Sequence, residues 1–273
     1  MRRRGARGGG GQSRGGEATE GNHATYTRGE IVEHYASRSG LQPGEGVLID
    51  RWLDAITGSV FLDIGVGGGR TTGVIAALTQ RYVGVDYSAP LIEAARRRYP
   101  ERDLRWADAR DLAEFEDEEF SVVWFSFNGI DSVGDDDRRQ ILGEIRRVVR
   151  PGGLFLFSTH NRDVATFDRL PWRRRPRVTR TYARSVVQAV RRLPRIVRMR
   201  RQVVHTADYA QINDDAHDYT LLMYYIDRFA QARQLGECGF ELVEVSSQGG
   251  RPLADSEVDR ASVWLHYVAR RVP

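Results

Sequence analysis

Between residues 60 and 158, short apolar runs alternate with amphipathic stretches of helical length, and the first junction between them is filled with glycine. VFLDI (60–64) leads into Gly65-Val66-Gly67-Gly68-Gly69, after which Val74, Ile75 and Leu78 recur at helical spacing. YVGVD (82–86) reads as a second strand. A helix from Ala89 to Arg98 follows, with Pro90 in a first-turn position where its missing N–H costs nothing. LRWAD (104–108) is a third strand, and SVVWFSF (121–127) is a continuous apolar run of the kind buried on both faces. Ile141, Leu142, Ile145, Val148 and Val149 make one helical stripe, ended by Pro151-Gly152-Gly153, and GLFLFS (153–158) is a fifth strand. Such an alternation builds a parallel, doubly wound α/β sheet.

The alternation stops after residue 161. Residues 162–203 are rich in arginine, with Val186, Val190 and Leu193 marking one helix. VHTADYAQI and HDYTLLMYYI, around Asn213-Asp214-Asp215-Ala216, read as a β-hairpin. Helical spacing returns from Phe229 to Glu237, stopped by Gly239, and ELVEVSS with SVWLHYVARR supplies two last strands. The expected organisation is a Gly/Arg-rich leader over 1–22, a ligand-binding core with N-terminal helices over 23–161, an insertion over 162–226 acting as substrate lid or interface, and the closing helix and strands of the core over 227–273. The leader is expected to be disordered, because it has no apolar anchor to offset the entropy of ordering.

Composition narrows the chemistry. All 41 basic residues are arginine, which rules out a catalytic lysine. Cys238 is the single cysteine, so an intrachain disulfide and a cysteine-rich zinc site are excluded, and no metal-ligand spacing is present. No apolar run reaches the roughly 18 residues of a membrane span, and none follows the basic N-terminus, so a cytoplasmic location is expected. The net charge of +4 is unevenly spread. Residues 162–204 hold 14 arginines against Asp163 and Asp168, residues 1–22 hold five against two glutamates, and the rest of the chain stands at −11. A basic insertion on an acidic body suits an anionic acceptor or an acidic carrier protein, or else a solvated helix face wrapping that body.

The glycine loop begins at Asp63, directly after a strand and before a helix. Glycine belongs where the backbone turns sharply and where a ligand approaches with no Cβ in the way. The dinucleotide pattern G-x-G-x-x-G is broken, since its sixth position is Arg70. Asp86 closes the second strand 23 residues after Asp63, and Asp108 closes the third 22 residues later. Open α/β sheets bind ligands at the carboxyl ends of their strands, where Asp86 can accept both hydroxyls of a ribose and Asp108 an adenine amino group. Both are alternatively plain helix N-caps.

In these motifs the chain resembles the class I S-adenosylmethionine-dependent methyltransferases. VFLDIGVGGGR looks like the family's first motif, VGVDYS like its ribose-binding strand, WADARDL like its adenine-binding segment, and RVVRPGGLFLFS like its approach to the fifth strand. YYIDRFAQARQLGECGFELVEV looks like the return into the last hairpin, and the resemblance covers residues 31–160 and 224–270. It implies a seven-stranded Rossmann-like sheet of order 3-2-1-4-5-7-6 with the seventh strand antiparallel. It also implies the cofactor S-adenosyl-L-methionine, with S-adenosyl-L-homocysteine as product. By the same resemblance Gly65, Gly67 and Gly69 line the methionine end, Asp86 holds the ribose, Asp108 and Ala109 hold the adenine, and Asp63, Tyr87 and Phe127 complete the cofactor site.

Methyl transfer is an in-line displacement on an already activated carbon, so the protein chiefly aligns the nucleophile in a dry site and takes up a proton. His160, after the fifth strand, is the best general base, because histidine ordinarily titrates near neutrality; its alternative is a hydrogen-bonded structural histidine. Asn128 and Asp131, in SFNGID after the fourth strand, can orient the nucleophile or accept its proton, unless Asn-Gly merely makes a turn. Tyr35, Asn161, Tyr224 and Tyr225 are expected at the substrate, although alternating aromatics on a strand also suit a core. The expected acceptor is a small molecule, anionic or carrier-bound, methylated on O or N in bacterial specialised metabolism, by a chain able to form a homodimer. An RNA methyltransferase, with leader and insertion on phosphates, competes with this reading but lacks an Asn-Pro-Pro-Tyr type motif where FNGID stands. A methyltransferase-like fold with a non-methylating role is the third.

Overall fold

The computed structural model describes residues 14–27, 29–168, 180–213 and 219–273. Helices α1 (Arg14–Tyr26), α2 (Gly29–Ala36), α3 (Pro43–Arg51) and α4 (Leu53–Ile56) precede the sheet. β1 (Val60–Ile64), α5 (Thr72–Leu78), β2 (Arg81–Asp86), α6 (Ala89–Arg98), β3 (Asp103–Trp106), β4 (Phe120–Phe125), α7 (Asp135–Val148) and β5 (Val149–Asn161) then alternate. The insertion carries α8 (Arg180–Arg191), α9 (Leu193–Met199), β6 (Val204–His205), β7 (Tyr209–Ile212) and β8 (Met223–Ile226). The chain closes with α10 (Arg228–Glu237), β9 (Phe240–Ser246) and β10 (Trp264–Arg271).

β1 to β5 are parallel neighbours in the order 3-2-1-4-5, and β10 runs antiparallel between β5 and β9, so the core sheet has the expected order with β9 and β10 as sixth and seventh strands. Apolar side chains alternate between its faces. On one, Leu62, Val83, Val123, Phe155 and Tyr267 meet Ile141, Leu142 and Ile145 of α7; on the other, Phe61, Trp124, Leu156 and Val268 meet Leu48 of α3, Ile75 of α5 and Ile92 of α6. Both stripes of each buried strand are thereby covered, which is why these strands read as unbroken apolar runs.

The insertion extends the sheet. β4 ends at Phe125, opposite Phe157, whereas β5 continues to Asn161. Buried backbone groups need partners, and β8 supplies them, pairing parallel with β5 through His160↔Tyr225 and Asn161↔Ile226. β7 pairs antiparallel with β8, making the expected hairpin, and β6 adds an outer strand. Residues 214–218, which include part of the expected turn, lie outside the described residues. Because β10 also reaches His160, through Trp264, that residue sits between two flanking strands.

The leader departs from the expectation of disorder through residue 22. The chain is helical from Arg14, and residues 1–13 lie outside the described residues. Polar bonds, not an apolar stripe, hold α1. Asn22 Nδ2 donates to the carbonyls of Ser132 and Leu222 at 2.8 Å each, and its Oδ1 accepts from the Leu222 amide at 3.1 Å. Thr19 Oγ1 donates to Asp137 at 2.5 Å and accepts from the Gly134 amide at 3.2 Å, at the start of α7.

Candidate functional site

The carboxyl ends of β1, β2 and β4 open into a pocket walled by the glycine loop. Gly65 and Gly67 adopt φ of +70° and +55°, which a side chain would strain. The loop is pinned to β2 by the Gly65 and Val66 amides, which donate to the Val85 carbonyl at 2.8 and 3.1 Å, and by the Gly67 amide, which donates to Asp86 Oδ2 at 2.8 Å. Asp86 Oδ1 accepts from the Ser88 amide at 2.8 Å. Gly68 backs onto α2, where an added Cβ would stand 2.4 Å from Ala36 Cα. The wall also includes Tyr35, Asp86, Tyr87, Ala109, Phe127 and, unforeseen from sequence, Tyr26 and Arg70.

Burial sets the electrostatics. It pushes the Asp86 carboxyl up to about 6, against the two amide bonds that favour its ionised form. Asp63, at 0% exposure, stands behind the pocket wall as a brace: its Oδ2 accepts from Thr71 Oγ1 at 2.9 Å and Tyr82 OH at 2.8 Å, and its Oδ1 is buried with no hydrogen-bond partner. Desolvation pushes this carboxyl up to about 7. In the unfolded chain it ionises near pH 4, so its contribution to stability is fully present below that value and is lost as pH rises through about 7. Between those limits the wild type is expected to lose roughly 4 kcal/mol more than Asp63→Asn. Urea midpoints across the range check this, and parallel slopes for the two proteins would refute it.

Several residues expected at the cofactor stand outside the wall. Gly69 packs on Tyr99, whose ring would lie 3.0 Å from an added Cβ. Asp108 pairs with Arg110 at 2.7 Å, and Arg110 reaches on to Asp137 at 3.4 Å, while neighbouring Ala107 and Ala109 form the wall instead.

The candidate chemical groups converge beyond Phe127. His160 Nδ1 lies 2.7 Å from Asp131 Oδ2, which also accepts from the His160 amide at 2.7 Å. A carboxylate at Nδ1 fixes the imidazole with its proton there, which makes Nε2 the acceptor nitrogen of the ring. Nε2 faces Asn128 Nδ2 at 3.5 Å, and Asn128 Oδ1 is buried without a hydrogen-bond partner. Phe127 and Asn128 both hold left-handed backbone, at φ +52° and +58°, a strain that persists only where surrounding contacts enforce it. One such contact is the Asn128 amide donating to Ser158 Oγ at 2.8 Å. His160, Asn128 and Asp131 are therefore brought together, behind the loop whose Phe127 lines the pocket.

Sequence reasoning missed the residue that organises this cluster. Arg138, on α7, is 0% exposed and donates to Asp131 Oδ1 at 2.7 Å, Gln231 Oε1 at 2.7 Å, Gln234 Oε1 at 3.1 Å, Thr159 Oγ1 at 3.2 Å and the Ile130 carbonyl at 3.2 Å. Thr159 Oγ1 also donates to Asp131 Oδ1, at 2.5 Å. In sequence Arg138 is one of many arginines on an amphipathic helix, set apart only by standing three, four and seven residues before Ile141, Leu142 and Ile145 of the apolar stripe.

The expected substrate residues separate. Tyr35 lines the pocket, and the Tyr225 ring lies 4.8 Å from that of His160. Tyr224, expected at the substrate, is fully buried: it stacks on Tyr209 at 4.7 Å, lies under the Arg138 guanidinium at 4.5 Å and donates to Asp135 at 2.6 Å. Asn161 braces a turn, its Nδ2 donating to the carbonyls of Asp259 at 2.6 Å and Ser262 at 3.1 Å. Strand alternation puts adjacent tyrosines on opposite faces, so Tyr224 and Tyr225 could not both face one ligand. Next to the pocket, sharing Phe127 and Arg70 with it, runs a groove bordered by Arg38, Gln42 and Trp264. Among the described residues no cluster of His, Cys, Asp and Glu could hold a metal ion, and no helix is long and apolar enough to cross a membrane.

Residues 62–157 match a family model described as a methyltransferase domain. The chain is 34% identical over 116 residues to a probable S-adenosylmethionine-dependent methyltransferase of Mycolicibacterium smegmatis, covering 42% of this chain and 44% of that protein. It is 34% identical over 119 residues to the demethylmenaquinone methyltransferase of Clavibacter sepedonicus, covering 41% and 47%. The chain thus spans less than half the length of these two relatives. In three dimensions it is similar to the 1,6-didemethyltoxoflavin-N1-methyltransferase of Burkholderia thailandensis, solved with 1,6-didemethyltoxoflavin and S-adenosylhomocysteine, with TM-score 0.57, 15% identity and coverage of 93% of this chain and 87% of that one.

Proposed function

Since the chain, through residues 62–157, belongs to the class I S-adenosylmethionine-dependent methyltransferases, we propose that it transfers a methyl group to an oxygen or nitrogen of a small molecule, with His160 as the general base. The observation that carries this reading is the His160–Asp131 pair at 2.7 Å, beside the loop whose Phe127 borders the cofactor pocket.

The pocket fits S-adenosylmethionine. A Cβ on Gly67 would meet nothing within 4 Å, at a residue that lines the pocket, so its absence leaves room for a ligand against the loop. Asp86, its oxygens preorganised by two amides, suits a diol that donates two hydrogen bonds. Leu91, Ala107 and Ala109 offer small apolar walls for a planar base, and Tyr26, Tyr35 and Phe127 offer aromatic faces for a sulfonium. When bound, the cofactor supplies a methyl group already activated by positive charge.

The chain's own residues do the rest. Asp131 holds the imidazole so that Nε2 accepts the proton released by an attacking hydroxyl or amine, and the unmet Asn128 Oδ1 is an acceptor that such a donor satisfies on arrival. The groove between Trp264 and Phe127 is the route we assign to the acceptor. A relative named for demethylmenaquinone is consistent with a small organic acceptor, and a place in specialised metabolism is part of the same proposal.

Two measurements test it. Asp86→Ala is expected to weaken S-adenosylhomocysteine binding by about 2 to 4 kcal/mol, and wild-type affinity is expected to rise with pH through about 6, as the carboxyl ionises. Unchanged calorimetric affinity in a folded variant would remove the cofactor assignment. Supplying methyl-labelled cofactor with fractionated bacterial extract is expected to place label in the small-molecule fraction. Label confined to RNA would select the competing enzyme class, and no transfer at all a non-methylating role.

A further inference from the structure

Among the described residues, those of the arginine-rich insertion contribute nothing to the pocket wall, yet its helices carry a surface of their own. No aspartate or glutamate occurs between Asp168 and Asp208. One side of α8 and α9 is fixed to the protein, with Ala189 at 0% and Ile196 at 3% exposure packed against Tyr219. Away from that seam Val187, Val190, Leu193 and Val197 are 50, 57, 44 and 58% exposed. Four of the thirteen exposed large hydrophobics of the described residues thus fall within eleven consecutive positions, which makes a patch and not a scatter.

Charge is arranged around this patch. At about 100° per residue, Arg184 and Arg191, seven apart, share one stripe of α8, and Val187 and Val190 occupy the stripe between it and buried Ala189. Arg198 is exposed beside Val197. Arg184, Arg191 and Arg198 make no ion pair among the described residues. α8 has 12 residues and α9 seven, too few to span a bilayer.

We propose that the outer face of α8 and α9 docks, lying flat, on a bilayer surface that carries anionic headgroups. An interface offers apolar depth and negative charge at one level, so the valines and Leu193 leave water while the arginines meet lipid phosphates. A nucleic acid would engage the arginines and leave the valines wet. The two helices meet the segment before β8 at Tyr219, and the hairpin buries Ala210, Ile212 and Met223 in a separate cluster with Tyr225, whose ring lies 4.8 Å from that of His160.

Co-sedimentation of the full chain with vesicles tests the proposal. Binding is expected to phosphatidylcholine vesicles containing phosphatidylglycerol and to be at least about tenfold weaker with phosphatidylcholine alone. Val187→Asp with Val190→Asp, and separately Arg184→Gln with Arg191→Gln, are each expected to reduce binding about tenfold or more. Thermal midpoint and S-adenosylhomocysteine affinity are expected to stay unchanged, since none of these residues lines the pocket. Equal binding to both vesicle types, or binding insensitive to the valine substitutions, would overturn the proposal. So would RNA retention lost only in the arginine variant, or a wild-type dimer that the valine variant converts to monomer without any vesicle binding.

Discussion

Replacing His160 with alanine is expected to lower kcat by about 10²- to 10⁴-fold while leaving S-adenosylhomocysteine affinity intact, because the imidazole lies outside the pocket wall and loses only its proton-accepting role. Asp131→Asn tests the same apparatus through its positioning residue. An amide in place of the carboxylate no longer enforces a proton on Nδ1, so kcat is expected to fall with little change in KM. A structural histidine behaves otherwise: its loss lowers thermal stability and raises KM while kcat stays near wild type. Stopped-flow or steady-state kinetics on a methyl acceptor, read beside calorimetry on the cofactor product, separates the two outcomes. If Asn128→Ala abolishes turnover while His160→Ala remains active, the chemistry belongs to the strand-four loop and the base is misassigned.

Arg138→Met is expected to destabilise the fold by about 3 to 5 kcal/mol, since it leaves the Asp131 carboxylate buried at 0% exposure without its cationic partner. The double variant Arg138→Met, Asp131→Asn removes both charges and is expected to recover part of that stability, but not the rate, because His160 would still lack its carboxylate. Urea denaturation supplies the stability cycle and kcat the functional one. Additive effects of the two substitutions on stability would show that the pair is not coupled. The arrangement also explains why a cation is tolerated in the core. Its hydrogen bonds place every N–H-bearing nitrogen of the guanidinium on an acceptor, and Tyr224 closes its face.

The local pattern was sufficient for the sheet. Runs such as VFLDI and SVVWFSF, glycines at positive φ and the amphipathic stripe of α7 are short-range signals, each decided by backbone sterics or by which side chains avoid water. The hairpin of the insertion was legible for the same reason, and so was the convergence of Gly65, Gly67 and Asp86, because strands that alternate with helices must bring their carboxyl ends to one edge. What sequence could not decide was which polar side chains point inward. Asn22 anchors a segment of disordered-looking composition because the carbonyls of Ser132 and Leu222, 110 and 200 residues away, need donors there. Asp108 faces Arg110, Tyr224 enters the core while Tyr225 meets His160, and Arg138 is enclosed while the next residue of its helix, Arg139, is exposed. Local spacing specifies secondary structure and the order of strands. The partner of a buried polar atom is set by whichever distant groups the packed chain brings within hydrogen-bond distance, and the penalty for leaving such an atom unpaired appears only after that packing has excluded water.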